Sequence, residues 1–237
     1  VLRNLIQSPT VVANATATNV CEGSSITLTG GGTNTYVWSN GIINGVGFIP
    51  PIGTSTYTVN GTNTATGCSN TATITITVNP LPASAGTITG TATVCQGQSS
   101  VTYTVPAITN ATSYVWTLPT GATGTSTTNS ITVNYGVSAV SGNITVKGTN
   151  SCGDGATSTL AITVNLLPTS AGTITGSTTV CQGQNSVTYS VPTITNATSY
   201  VWTLPTGATG TSTSNSITVY YGVSAVSGNI TVKGTNS

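Results

Sequence analysis

Residues 81–151 and 167–237 align without a gap at an offset of 86, and of the 71 paired positions eight differ: Ala83/Thr169, Thr91/Ser177, Ala92/Thr178, Ser99/Asn185, Thr104/Ser190, Ala107/Thr193, Thr128/Ser214 and Asn134/Tyr220. A repeat of this length and fidelity means the chain is assembled from domain-sized units, and any fold proposed for it must work once per unit. A third, divergent unit precedes the two copies. Residues 8–80 carry the same landmarks in the same order, with Cys21, then Trp38 within "YVWSN", then Cys68 before "SNTATITITVN"; the copies have Cys95, Trp116 and Cys152, and Cys181 and Trp202.

Within a unit the apolar residues alternate over short runs bounded by Gly, Pro and Asn, the period of strands with one buried face. In the second unit "SVTYTV" sends Val101, Tyr103 and Val105 to one side, and "SYVWTL" does so with Tyr114, Trp116 and Leu118. "ITVNY" pairs Ile131 with Val133 and Tyr135, "NITV" gives Ile144 and Val146, and "TLAITV" gives Leu160, Ile162 and Val164. Threonine takes most of the opposite faces, where a β-branched polar residue suits a pleated, half-exposed surface. With "GTITG" at 86–90 as a further strand, each unit has roughly six to seven strands and no helical period, which predicts an all-β fold of two-sheet sandwiches. The expected organisation is a linear array: an N-terminal segment 1–7, then units 8–80, 81–166 and 167–237, the last without a counterpart of the final strand.

Charge removes several function classes. Arg3, Glu22, Lys147, Asp154 and Lys233 are the only charged residues among 237, there is no histidine, and the formal net charge is +1. Three scattered cations cannot form the basic surface that displaces counterions from nucleic acid. No apolar run is long enough to span a bilayer, so no membrane insertion is expected. Acid–base catalysis needs a titratable group within reach of the reacting atom, and Glu22 and Asp154 lie in different units. The serines have no base to activate them. Two separated carboxylates do not supply the ligands of a calcium site. No catalytic, cofactor-binding or metal-binding residue is therefore expected, and an uncharged surface favours association.

The Cys…Trp…Cys order, with "YVWTLPTGA" near the middle of a unit and "VKGTNSCG" near its end, resembles the PKD-like and immunoglobulin-like repeats of large secreted proteins from Bacteroidota. The first unit, "NVCEGSSITLTGG…YVWSNG…GCSNTATITITVNPLP", is similar to their immunoglobulin-like modules. The resemblance implies tandem β-sandwiches and a passive or adhesive role in an adhesin, filament or surface stalk, outside the cell.

Five cysteines at repeated places, without the paired C-x-x-C spacing of zinc sites, suit an oxidising compartment. The expected pairs lie within units, Cys21 with Cys68 and Cys95 with Cys152, which leaves Cys181 without a partner. Trp38, Trp116 and Trp202 are expected in the cores rather than as sugar platforms, from the phase of Trp116 with Tyr114 and Leu118. Tyr220, where the twin has Asn134, faces outward and is the candidate contact residue. The six N-x-S/T triplets are ordinary in so Thr- and Asn-rich a chain, and no glycan is expected from them.

The function expected is that of a structural segment of an extracellular filament, stalk or long adhesin, whose partners are further repeats or other copies of the chain. The alternative is a carbohydrate- or surface-binding module with surface glycans as partners. The last copy stops before the counterparts of Cys152 and "STLAITV", so either further repeats complete it or a neighbouring molecule donates a strand, the candidate donor being residues 1–12 with Leu2, Leu5 and Ile6.

Overall fold

The computed structural model describes residues 6–236. Its strands pair in three sets along the chain, with no pairing between sets among the described residues. The first set comprises β1 (Val12–Ala15), β2 (Asn19–Cys21), β3 (Ile26–Gly31), β4 (Thr35–Trp38), β5 (Gly47–Phe48), β6 (Gly53–Thr62) and β7 (Ser69–Asn79). One sheet runs β1-β3-β5, the other β2-β7-β6-β4. Between them lie Ile26, Leu28, Trp38, Tyr57, Val59, Ile76 and Val78, all buried. The alternate residues of the long β6–β7 hairpin face outward as threonine pairs, with hydroxyls 3.4 Å apart for Thr54–Thr77 and 3.2 Å for Thr56–Thr75. Cross-strand threonine pairs stabilise a sheet face without charge.

The second set comprises β8 (Thr93–Cys95), β9 (Val101–Thr104), β10 (Ser113–Thr117), β11 (Ala122–Thr123), β12 (Ser130–Tyr135), β13 (Gly142–Asn150), β14 (Gly153–Asp154) and β15 (Ser158–Asn165). Its sheets are β10-β13-β15-β8, with β14 beside β13, and β11-β12-β9. Val101, Tyr103, Val105, Ile131, Val133, Tyr135, Ile144, Val146, Ile162 and Val164 are buried in one core, as the two-residue period requires; Tyr114, Trp116, Leu118 and Leu160 pack against it half-buried. "GTITG" departs from expectation. It forms no strand, only a single bridge from Thr89 to Thr104. At Gly90, φ is +153°, and a Cβ there would stand 2.3 Å from the Tyr103 ring, so the backbone bends against the aromatic face instead of running on as a strand.

The third set comprises β16 (Val187–Ser190), β17 (Ser199–Thr203), β18 (Ala208–Thr209), β19 (Ser216–Tyr221) and β20 (Thr231–Thr235). Its sheets are β16-β19-β18 and the two-stranded β17-β20. Residues 179–181 read "TVC", the same three residues as β8, yet carry no strand. The cause is the partner: β8 exists by parallel pairing with β15, Thr93 opposite Thr163, Val94 opposite Val164 and Cys95 opposite Asn165. Nothing among the described residues stands in that place beside residues 179–181.

Each copy also buries a tyrosine pair. The Tyr103 and Tyr135 hydroxyls lie 2.7 Å apart, and the Tyr103 hydroxyl is 2.8 Å from the Thr91 carbonyl oxygen. Tyr189 and Tyr221 repeat the pair at 2.8 Å. Burial raises the Tyr103 and Tyr135 phenols above their ordinary value, and pushes Tyr221 up to about 12. A phenol raised on folding contributes stability that is present below its unfolded value near 10 and lost as the pH climbs through the folded value. Asp154 has the opposite sign: the Lys147 ammonium and the Thr149 hydroxyl hold its carboxyl below the ordinary range, so its contribution disappears only as the pH falls below about 4. Urea midpoints measured across pH should therefore be flat from about 5 to 9 and drop above about 10. A midpoint that moves by the same amount between 6 and 8 as between 10 and 12 would contradict this account.

Candidate functional site

The chemistry-bearing side chains gather where one unit meets the next. At the first joint β2 runs parallel to β7 with Cys21 opposite Asn79. The Glu22 amide donates to the Asn79 carbonyl at 2.9 Å, and the Glu22 carboxylate accepts from the Leu81 amide at 3.3 Å. From the second unit the Asn150 side chain donates to the Pro80 and Asn110 carbonyls, each at 2.9 Å, while its own oxygen accepts from the Cys152 amide at 2.8 Å. Cys152 is thereby held over the joint and forms a disulfide with Cys21, Cα to Cα 5.4 Å.

This corrects the expected pairing. Cys21–Cys68 and Cys95–Cys152 are not formed; the bridge joins two units, and Cys68, Cys95 and Cys181 are free. Strand length is the reason. Cys21 lies beside the last residue of β7 and Cys68 just before its first, so the 11 residues of β7 separate them, roughly 35 Å at the rise of an extended strand. A bridge needs Cα atoms within about 7 Å. Cys95 and Cys152 are likewise held apart by the length of β15. In each of these two units one cysteine ends the strand that runs parallel to the last strand, and the other lies ahead of that last strand.

The second joint reproduces the first. Cys95 is opposite Asn165, the Gln96 amide donates to the Asn165 carbonyl at 3.0 Å, and the Gln96 side-chain oxygen accepts from the Leu167 amide at 3.1 Å. The Asn236 side chain donates to the Leu166 carbonyl as Asn150 does to Pro80. Near the start of the first unit, the Asn70 side chain donates to the Pro9 carbonyl at 3.0 Å.

Beyond the second joint the third unit is open on one side. Val94, Ile144 and Val146 are at most 1% exposed in the second unit, where β15 covers them; their counterparts Val180, Ile230 and Val232 are only half-buried. Val180 and Ile230 belong to the wall of a cleft of about 610 Å³ whose lining also includes Ile174, Cys181, Tyr189 and Tyr221. Of the candidate donor residues, Leu2 and Leu5 lie outside the described residues, Val11 packs against the first core and Val12 opens β1.

Trp38 is 3% exposed and fully within its core, so it presents no platform. Trp116 and Trp202 are half-buried, their indole nitrogens donating at 2.9 Å to the Thr128 and Ser214 carbonyls. Tyr220 is 46% exposed, whereas the Asn134 it replaces accepts from the Ser100 amide at 2.8 Å. Lys147 and Asp154 form an exposed ion pair across the hairpin beside Cys152. Among the described residues no helix is long and apolar enough to cross a membrane.

Residues 80–162 and 167–237, together more than half of the chain, match the family model of the PKD-like domain. The chain belongs to the PKD-like domain family. Its fold is also that of tandem immunoglobulin-like sandwiches. The I-band fragment I67-I69 from titin is 12% identical with a TM-score of 0.50, over 98% of this chain and 95% of that chain. An E-to-A mutated variant of the same three-domain titin segment is 14% identical with a TM-score of 0.51, over the same shares. Comparison with curated proteins returns no match. PKD-like and immunoglobulin-like domains are modules of structure or binding, a typically non-catalytic class, and the disulfide accords with a domain outside the cell.

Proposed function

We propose that this chain is a structural repeat segment of an extracellular filament, stalk or long adhesin, of the kind its PKD-like units resemble in Bacteroidota, and that it performs no catalysis. The units are 8–80, 81–166 and 167–237, preceded by a short segment 1–7. The observation that carries this reading is the joint. Cys21–Cys152 staples one unit to the next, and the same asparagine and glutamate or glutamine contacts recur at the second joint. A binding module has no need of repeated stiff joints, whereas a spacer that must hold its length does. Its partners are further units of its own kind.

The exposed Tyr220 supports a second reading, a carbohydrate- or surface-binding module with surface glycans as partners. A glycan array probed with the purified chain separates the two. The spacer reading expects no saturable signal and no difference between the chain and Tyr220→Ala; saturable binding that Tyr220→Ala abolishes would install the binding module in its place.

A further inference from the structure

We propose that Asn40 is a site of self-modification, at which the chain converts its own asparagine to aspartate and isoaspartate through a cyclic imide formed with Gly41. The proposal goes beyond the spacer reading and does not rest on it.

The sequence holds three Asn-Gly pairs, Asn40-Gly41, Asn44-Gly45 and Asn60-Gly61, all in the first unit. Such a pair is predisposed to this chemistry, because glycine has no side chain to keep its amide nitrogen away from the side-chain carbon of the asparagine before it. The fold treats the three pairs differently. Asn60 and Gly61 lie inside β6, Asn60 between Val37 and Thr71 and Gly61 between Tyr36 and Asn70, so the sheet on both sides holds their backbone extended. Asn44 is held by its side chain, whose oxygen accepts from the Gly30 amide at 2.7 Å and the Trp38 indole at 3.1 Å. The Gly45 amide donates to the Leu28 carbonyl at 2.9 Å. In that pair the electrophilic carbon and the nucleophilic nitrogen are both tied down.

Asn40 has neither restraint. It is exposed, as is Gly41, in the single turn Ser39–Gly41 that follows β4. The turn is pinned at Ser39, whose hydroxyl accepts from the Thr58 amide at 3.1 Å and whose carbonyl accepts from the Ile42 amide at 3.4 Å. The Asn40–Gly41 peptide stands out between those two anchors. Ring closure requires this backbone to rotate, and Asn40 starts from φ 57° and ψ 21°, a left-handed conformation that costs a non-glycine residue energy. A Cβ placed on Gly41 would meet nothing within 4 Å, so the peptide has room to bring its nitrogen against the Asn40 side chain.

The reaction balances with water as the only co-reactant. The Gly41 amide nitrogen, its proton drawn off by hydroxide, attacks Asn40 Cγ. The N–Cγ bond forms, the Cγ–Nδ2 bond breaks, and the side-chain nitrogen takes up a proton and leaves as ammonia. Water then adds to one of the two ring carbonyls as the ring C–N bond breaks: opening at the main-chain carbonyl leaves isoaspartate, and opening at Cγ leaves aspartate. Glu22 is the only charged residue of unit 8–80, so the product gives this unit a second carboxylate, and the added negative charge takes the formal net charge of the chain from +1 to 0. It stands on the rim of a hollow of about 350 Å³ lined by Ile42, Ile43, Val46 and Phe48, and sets a charge beside an apolar loop that had none.

The full chain is aged at neutral pH in water labelled with heavy oxygen and digested with chymotrypsin, whose cuts after Trp38 and Phe48 release residues 39–48 with Asn40 and Asn44 together. Fragmentation of that peptide is expected to place one labelled oxygen at position 40, as isoaspartate and aspartate. Asn40 should convert at least about tenfold faster than Asn44 or Asn60, since each hydrogen bond that must open first adds to the barrier. In denaturant the three pairs should convert at closely similar rates, because only the fold separates them. Equal rates at Asn40 and Asn44 in the folded chain, a preference for Asn40 that persists in denaturant, or unlabelled product at position 40 would each overturn the proposal. None of these readouts involves glycans or further repeats, so the proposal and the spacer reading fail separately.

Discussion

Trp38→Ala is expected to weaken the first unit by about 3–5 kcal/mol, a large share of the 5–15 kcal/mol that holds a typical domain together. The indole is 3% exposed between the two sheets, against Ile26, Leu28, Tyr57 and Val59. Its removal leaves a cavity that the surrounding strands fill only in part. It also removes one of two donors to Asn44, whose side-chain oxygen accepts from the Trp38 indole at 3.1 Å and the Gly30 amide at 2.7 Å. Trp116→Ala should cost its unit distinctly less, since that indole is half-buried and donates to a carbonyl near solvent. Amide exchange in β7 and β13 reads the two units separately. If Trp38→Ala leaves β7 unchanged, or Trp116→Ala weakens β13 more than Trp38→Ala weakens β7, the packing account is wrong.

Pulling the chain from its two ends should expose the inter-unit bridge directly. Cys21 and Cys152 are 131 residues apart in sequence, and while they are joined that length cannot be drawn out. Cys21→Ser, or reduction, should lengthen the fully extended chain by roughly 450 Å at about 3.4 Å per residue. The same change removes about 5 kcal/mol in the chain-entropy description of a loop this long. Before force is applied little should move, because the Glu22, Asn79 and Asn150 hydrogen bonds still hold the joint. Equal contour lengths for the chain and Cys21→Ser would show that the bridge does not form.

The buried faces were legible because alternation needs nothing but local sequence. Val101, Tyr103 and Val105, or Ile131, Val133 and Tyr135, face inward wherever their strand lies in a sandwich. The cysteine pairing was not legible, because it depends on β2 running parallel to β7 and β8 to β15, contacts between the two ends of a unit that no short window contains. For the same reason "TVC" reads alike at 93–95 and 179–181 and is a strand in only one of them. "GTITG" alternates well enough for a strand, but the close approach of Gly90 to the Tyr103 ring interrupts it. The joint was visible as residues, a cysteine followed by Glu22 or Gln96, yet its meaning needed the neighbouring unit's hairpin in place.

The parallel pairing of β2 with β7 and of β8 with β15 sets an order of events for a chain that emerges amino end first. β2 has no partner until β7 has appeared, and β8 none until β15 has, so each unit closes late and all at once, through its most distant contact. The thiol of Cys21 must then stay reduced and unclaimed while its own unit closes, until the β13–β14 turn of the next one arrives with Cys152. The bridge therefore cannot guide the folding of the unit that carries Cys21. It records that the following unit has taken shape, and acts as a ratchet that locks this one step of growth only after the step is complete.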